Sequence, residues 1–252
     1  MNIKTPCAKD IPALRALWRE AFCDGDDFLD VFFERAYSEQ RALCVTDGEC
    51  LLAALYWFDC ECLGRRVAYI YAVATAKKHR GKGISTLLIN EVHRRLAEEG
   101  YAGAMLVPGE EGLFGFYRRF GYRNCGSVRE FSIIASEHAI QLRLVDASEY
   151  AEIRRSLLPY GGVIQERENL SFLSATHLLY AGEGFVLAAR REGDFLYAAE
   201  LLGNTAAAPD ILCALGCREG RFRTVGKERR FAMYRHLSGE HLSPSYLGFA
   251  FD

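Results

Sequence analysis

The chain has 252 residues, half of them apolar, with 31 lysines and arginines against 33 aspartates and glutamates. That composition supports a sizeable core and excludes a disordered chain. Charges that nearly cancel, with no polybasic block, argue against nucleic acid or an anionic membrane as the main partner.

The pattern opens with a strand-like "NIKT", followed by "KDIPALRALWREAF", where Leu14, Leu17, Trp18, Ala21 and Phe22 recur at helical spacing. The apolar stretch from Ala42 to Thr75 reads as three strands broken at Asp47-Gly48 and at Leu63-Gly64-Arg65, both hairpin turns. A helix from Ile84 to about Glu99 carries Ile84, Leu88, Val92 and Leu96 on one face and stops at Gly100. "YAGAMLVPG" returns as a strand, and "EGLFGFYRRFGY" gives a short helix ending at Gly121. The order β–α–β–β–β–α–β–α predicts an α+β fold with a mixed sheet. A strand–helix–strand crossover makes its two strands parallel neighbours and leaves the connecting loop at their carboxyl ends, where ligands bind.

That loop is "HRGKGIS", His79 to Ser85. Two glycines bring bare backbone to the start of a helix, where unpaired N–H groups and the helix dipole attract an anion. A P-loop needs a wider glycine spacing and a Lys-Ser or Lys-Thr pair; a dinucleotide fingerprint needs a third glycine where Thr86 stands. Neither motif fits.

Arg80-Gly81-Lys82-Gly83-Ile84-Ser85 instead resembles the acetyl-CoA loop of the GNAT superfamily of acyl-CoA-dependent N-acyltransferases, with Ser85 in the last small position. "GFYRRFGY", Gly115 to Tyr122, resembles that superfamily's helix and strand beside the pantetheine arm. The likeness covers about residues 1 to 130 and is closest to the aminoglycoside-acetylating enhanced-intracellular-survival group. It implies that the amides of Gly81, Lys82, Gly83, Ile84 and Ser85 hold the acetyl-CoA pyrophosphate, with charge added by Arg80 or Lys82. It also implies that the backbone of Val73 and Thr75 meets the pantetheine amides, and that Tyr117 protonates the departing thiolate. "AYIYAVAT" carries no carboxylate to act as the base, which leaves Glu110, Glu111, a water chain or the chain terminus.

The second half repeats the pattern. "IQLRLVDASEYAEIRRSLL" parallels the opening, setting Leu14 against Ile153 and Arg15 against Arg154. "DFLYAAELLGNTAAAPDILCALG" parallels the strand, glycine loop and helix, but its loop lacks the Gly-x-Gly spacing and carries Pro209. The reading is two tandem GNAT-like domains, each a central mixed sheet flanked by helices: residues 1–135 binding acetyl-CoA, and residues 136–252 degenerate and completing the acceptor cleft. His177, Glu200 and His236 show no paired spacing that would make a second catalytic site.

The closing run "YLGFAFD" reads as a last strand. In the enhanced-intracellular-survival group the C-terminal carboxylate helps deprotonate the amine, so the resemblance makes Asp252 a candidate base. Nine cysteines without an export signal predict reduced thiols in a cytoplasmic protein. Cys60/Cys62 and Cys213/Cys217 lack a second pair at zinc spacing, which predicts no metal. The expected activity is transfer of an acetyl group from acetyl-CoA to a primary amine of a small molecule or peptide. The rival is a non-enzymatic acyl-CoA sensor or interaction module.

Overall fold

In the computed structural model, which describes residues 1–239 and 241–251, β1 (Asn2–Lys4) leads into two helices, α1 (Ile11–Phe22) and α2 (Asp26–Arg35). The strand-and-helix opening expected from the sequence therefore has one helix more. Helix α2 buries Leu29 and Phe32, and the Phe32 ring lies 4.6 Å from that of Trp18 on α1. Strands β2 (Ala42–Asp47), β3 (Cys50–Cys62) and β4 (Arg65–Thr75) follow. Both hairpin turns fall where expected; Leu63 and Gly64 are each left-handed, at φ 50° and 73°, the pair that a two-residue hairpin turn demands. Next come α3 (Ile84–Glu98), β5 (Gly103–Leu106), α4 (Glu111–Arg118) and β6 (Arg123–Asn124).

The rest of the chain supplies β7 (Ser127–Ile134), β8 (Leu142–Leu144), α5 (Ala147–Leu157), α6 (Glu168–Thr176), β9 (Leu178–Gly182), β10 (Phe185–Glu192) and β11 (Phe195–Gly203). It ends with α7 (Ala208–Ala214), β12 (Glu219–Val225), β13 (Arg229–Arg230) and β14 (Met233–His236). Asp146 caps α5, its carboxylate accepting from the Glu149 amide at 2.9 Å.

Two seven-stranded sheets result, ordered β1-β2-β3-β4-β5-β14-β6 and β8-β9-β10-β11-β12-β7-β13. They match position for position. Strands β4 and β5 run parallel, as do β11 and β12. The sixth place in each sheet is filled from the other half of the sequence: β14 stands in the first sheet where β7 stands in the second.

The chain accordingly divides into two compact units, neither continuous in sequence: Met1–Cys60, Gly64–Arg123 and Tyr234–Leu242 in one; Glu61–Leu63, Asn124–Met233 and Ser243–Asp252 in the other. An expected boundary at residue 135 is corrected by this exchange, since β7 lies before it and belongs to the second unit. The first unit packs α1 and α2 as an aromatic layer, with Trp18 and Phe32 both against Tyr56 of β3 at 5.4 and 5.1 Å. Helix α3 buries Ile84, Leu88, Ile89, Val92, His93 and Leu96. Full burial of each large apolar side chain is worth roughly 1.5–3 kcal/mol. In the second unit, α7 contributes Ile211 and Leu212 to a core with Phe185, Leu187, Leu196 and Phe222.

Over its described residues, 246 to 251, the closing run is not a last strand. Tyr246, Leu247, Phe249 and Ala250 are buried, but among the described residues the segment's strand pairing is one isolated bridge between Tyr246 and Gly162. A glycine at φ 97°, Gly248, turns it out of strand geometry.

Candidate functional site

The first unit gathers its candidate residues at the carboxyl ends of β4 and β5. These strands pair in register from Val67–Gly103 to Tyr69–Met105, and among the described residues the ladder stops there. Beyond that point Ala72 adopts φ 48°, a conformation that costs a residue with a Cβ. Strand β4 is thus bent where it leaves its neighbour. Val73 and Thr75 lie past the bend, half-buried. Because the strands are parallel, the loop to α3 and the loop to α4 leave the sheet at the same end.

After Thr75 a short 3-10 turn, Lys77–His79, is braced by α1: Glu20 Oε1 accepts from the Lys77 amide at 2.7 Å. Arg80 turns back on the strand and donates from Nε to the Thr75 carbonyl at 3.1 Å. Its role includes tying the loop to β4, which the motif alone does not reveal. Gly81 and Gly83 are both left-handed, at φ 75° and 76°, and an added Cβ would meet nothing within 4 Å at either. Backbone conformation, together with the room left beside it, explains the glycines.

Gly83 is the N-cap of α3, and no side chain caps that helix. Leu87 is the first helical amide with an acceptor, Gly83 O at 3.1 Å. Among the described residues, the amides of Gly81 to Thr86 have none. A row of unpaired N–H groups at a helix start, with Lys82 exposed beside it, has the chemistry that suits an anion. Ile84 is buried and anchors the turn, while Ser85 is half-buried.

Tyr117 sits on α4, which follows β5. Only 7% of it is exposed, and burial pushes its phenol up to about 12, so it stays protonated at neutral pH. Its ring meets Phe116 at 5.1 Å and Tyr122 at 5.8 Å, both edge-on. Its hydroxyl bonds to no described residue. Sequence reasoning missed the layer behind it. The Tyr122 hydroxyl is 2.8 Å from His93 Nε2, and burial, helped by the Arg235 charge, holds His93 down at about 3. A helical apolar face conceals such a histidine, because its spacing matches that of a core residue.

Asp252, the candidate base, lies outside the described residues. In the second unit the loop after β11 runs through a 3-10 turn into a helix of only seven residues, with Pro209 in its first turn. It lacks the paired left-handed glycines of the first unit. Glu200 is no second base: Arg154 donates to it at 2.7 and 3.1 Å, Tyr150 at 2.8 Å and Tyr246 at 3.0 Å. His177 Nδ1 is 2.9 Å from its neighbour Thr176 Oγ1, and His236 is exposed. All nine cysteines are free thiols. No helix among the described residues is long and apolar enough to cross a membrane, and no group of three or more potential metal ligands occurs among them.

Residues 2–125 match the family model described as an acetyltransferase (GNAT) domain. Over those residues, just under half of the chain, the protein is similar to that domain. Its likeness to the enhanced-intracellular-survival group is carried by the N-acetyltransferase Eis of Mycobacterium tuberculosis, 38% identical over 61 residues. That stretch is 24% of this chain and 14% of the Eis protein. Solved structures share the GNAT fold over nearly the whole chain. A GCN5-related N-acetyltransferase from Anabaena variabilis has a TM-score of 0.73 at 14% identity, covering 94% of this chain and 73% of that one. A putative acetyltransferase from Pyrococcus horikoshii has a TM-score of 0.67 at 15% identity, covering 99% and 94%. The two mixed sheets with their flanking helices have the α+β tandem fold expected from the sequence.

Proposed function

We propose that the protein is an acetyl-CoA-dependent N-acetyltransferase acting on a primary amine of a small molecule or peptide, by direct attack within a ternary complex. The observation that carries this reading is the row of free amides from Gly81 to Thr86, at the start of α3 and beside the parting of β4 and β5. Those amides hold the pyrophosphate, and Lys82 adds charge. Val73 and Thr75 offer backbone groups to the pantetheine arm.

The amine nitrogen attacks the thioester carbonyl carbon and the carbon–sulfur bond breaks, its electron pair leaving on sulfur. Tyr117 gives its phenolic proton to that sulfur, and the proton lost by the amine passes to water. A buried, protonated phenol suits this role. No cysteine lies in the loop or around Tyr117, so no acyl-cysteine is invoked.

Calorimetry with acetyl-CoA and thiol release with a panel of amines test the reading together. Gly83→Glu is expected to lose at least tenfold in acetyl-CoA affinity, because it sets a carboxylate where phosphate should sit. Unchanged affinity in a folded Gly83→Glu protein overturns the cofactor site. Binding without thiol release for any amine favours the sensor reading instead.

A further inference from the structure

We infer that Arg235, on the strand supplied by the C-terminal half, is a positioning residue for Tyr117. This rests on the reading of Tyr117 as the acid. Helix α4 has eight residues, too few to be stable by itself, and its last carbonyls need outside donors. Just past its end, the Phe120 amide donates to Tyr117 O at 2.9 Å and the Tyr122 amide approaches the same oxygen at 3.4 Å. Arg235 Nη1 donates to the carbonyl of that same Phe120. The Phe120 backbone is therefore held on both sides, its N–H by the Tyr117 carbonyl and its C=O by Arg235.

The cation is placed well in two further respects. A positive charge at a helix C-terminus is favoured by the helix dipole. The same guanidinium is near enough to influence both the His93 imidazole and the Tyr122 hydroxyl, whose ring backs Tyr117. Arg235 thus joins the turn that carries Tyr117 to the pair that supports its ring. It reaches this place because β14 lies between β5 and β6. Residue 235 is more than a hundred positions from Tyr117 in sequence, and nothing in the local pattern of either links them.

A double-mutant cycle on turnover tests this, with Arg235→Met, Tyr117→Phe and the double variant, and with Arg235→Lys as the conservative control. Arg235→Met is expected to lower kcat by roughly tenfold or more, the scale of a misplaced catalytic group, while leaving the KM for acetyl-CoA within about twofold. Arg235→Lys, which keeps a donor and a charge, should recover most of the loss. In the Tyr117→Phe background, Arg235→Met should cost nothing further, because effects that pass through one residue do not multiply. Losses that multiply in the double variant, or wild-type kcat in Arg235→Met, overturn the inference and leave the acid reading standing. Wild-type turnover in Tyr117→Phe overturns both. If Arg235→Met fails to fold, Arg235→Gln takes its place in the cycle.

Discussion

The ring of Tyr234 occupies the space where a side chain on Gly103 would begin. A Cβ built on Gly103 falls 2.1 to 2.3 Å from the Tyr234 hydroxyl and ring carbons, and that hydroxyl donates to Ala102 O at 3.2 Å. Strands β5 and β14 therefore meet through a glycine-to-tyrosine fit as well as through their backbones.

Gly103→Ala should accordingly destabilise the protein by about 1–3 kcal/mol, the cost of overpacking a filled core. Gly103 has an ordinary backbone conformation, so the effect would be steric. Urea unfolding measures it. Loss confined to a few tenths of a kcal/mol would mean that Tyr234 swings aside freely.

A fragment ending at residue 125, which contains the whole family match, should not form a stable monomer. It lacks β14, so β5 loses a neighbour and β6 is detached from the sheet. Unpaired strand edges associate. Size-exclusion chromatography and circular dichroism are expected to show aggregated or largely unfolded material. A soluble, cooperative monomer would show that β14 is dispensable to the first unit.

Arg154 and Glu200 are 3% and 0% exposed, and Gly248 leaves no space above them, since a Cβ there would lie 2.1 Å from Arg154 Nη2. Arg154→Met removes the cation and leaves a buried carboxylate, a loss expected near 3–5 kcal/mol at neutral pH. Urea unfolding at pH 7 measures the loss, and a deficit under about 1 kcal/mol would show that the site tolerates an unpaired carboxylate.

Burial alone would raise the Glu130 pKa, but hydrogen bonds from Arg223 and Arg221, with the charge of Arg229, hold it down at about 2. A depressed folded pKa gives stability that is present above the unfolded value and lost as pH falls toward 2. Glu130→Gln should be less stable at pH 7 and should lose less stability between pH 5 and pH 2. Parallel pH profiles for the two proteins would remove Glu130 from the account of acid unfolding.

Much of the first unit was legible because its signals are local. Gly81 and Gly83 must be glycines for backbone reasons that act within the loop itself, and the apolar spacing after Ile84 declares a helix whatever it packs against. The repeat in the second half is visible for the same reason, and so is the loss of its glycine pair. Two strands of alternating residues, however, look alike. Nothing in "SVREFSII" or "MYRH" says which sheet each will enter, because a strand's pattern specifies a face and not a neighbour. The exchange of β7 and β14 is decided by contacts between residues far apart in the chain, such as Tyr234 over Gly103. His93 under Tyr122 and Arg235 on Phe120 depend on that same packing. The glycine turn with its free amides was written in seven consecutive residues, whereas the support of Tyr117 exists only once distant segments share one sheet, since hydrogen bonds and close packing act over a few ångströms of space.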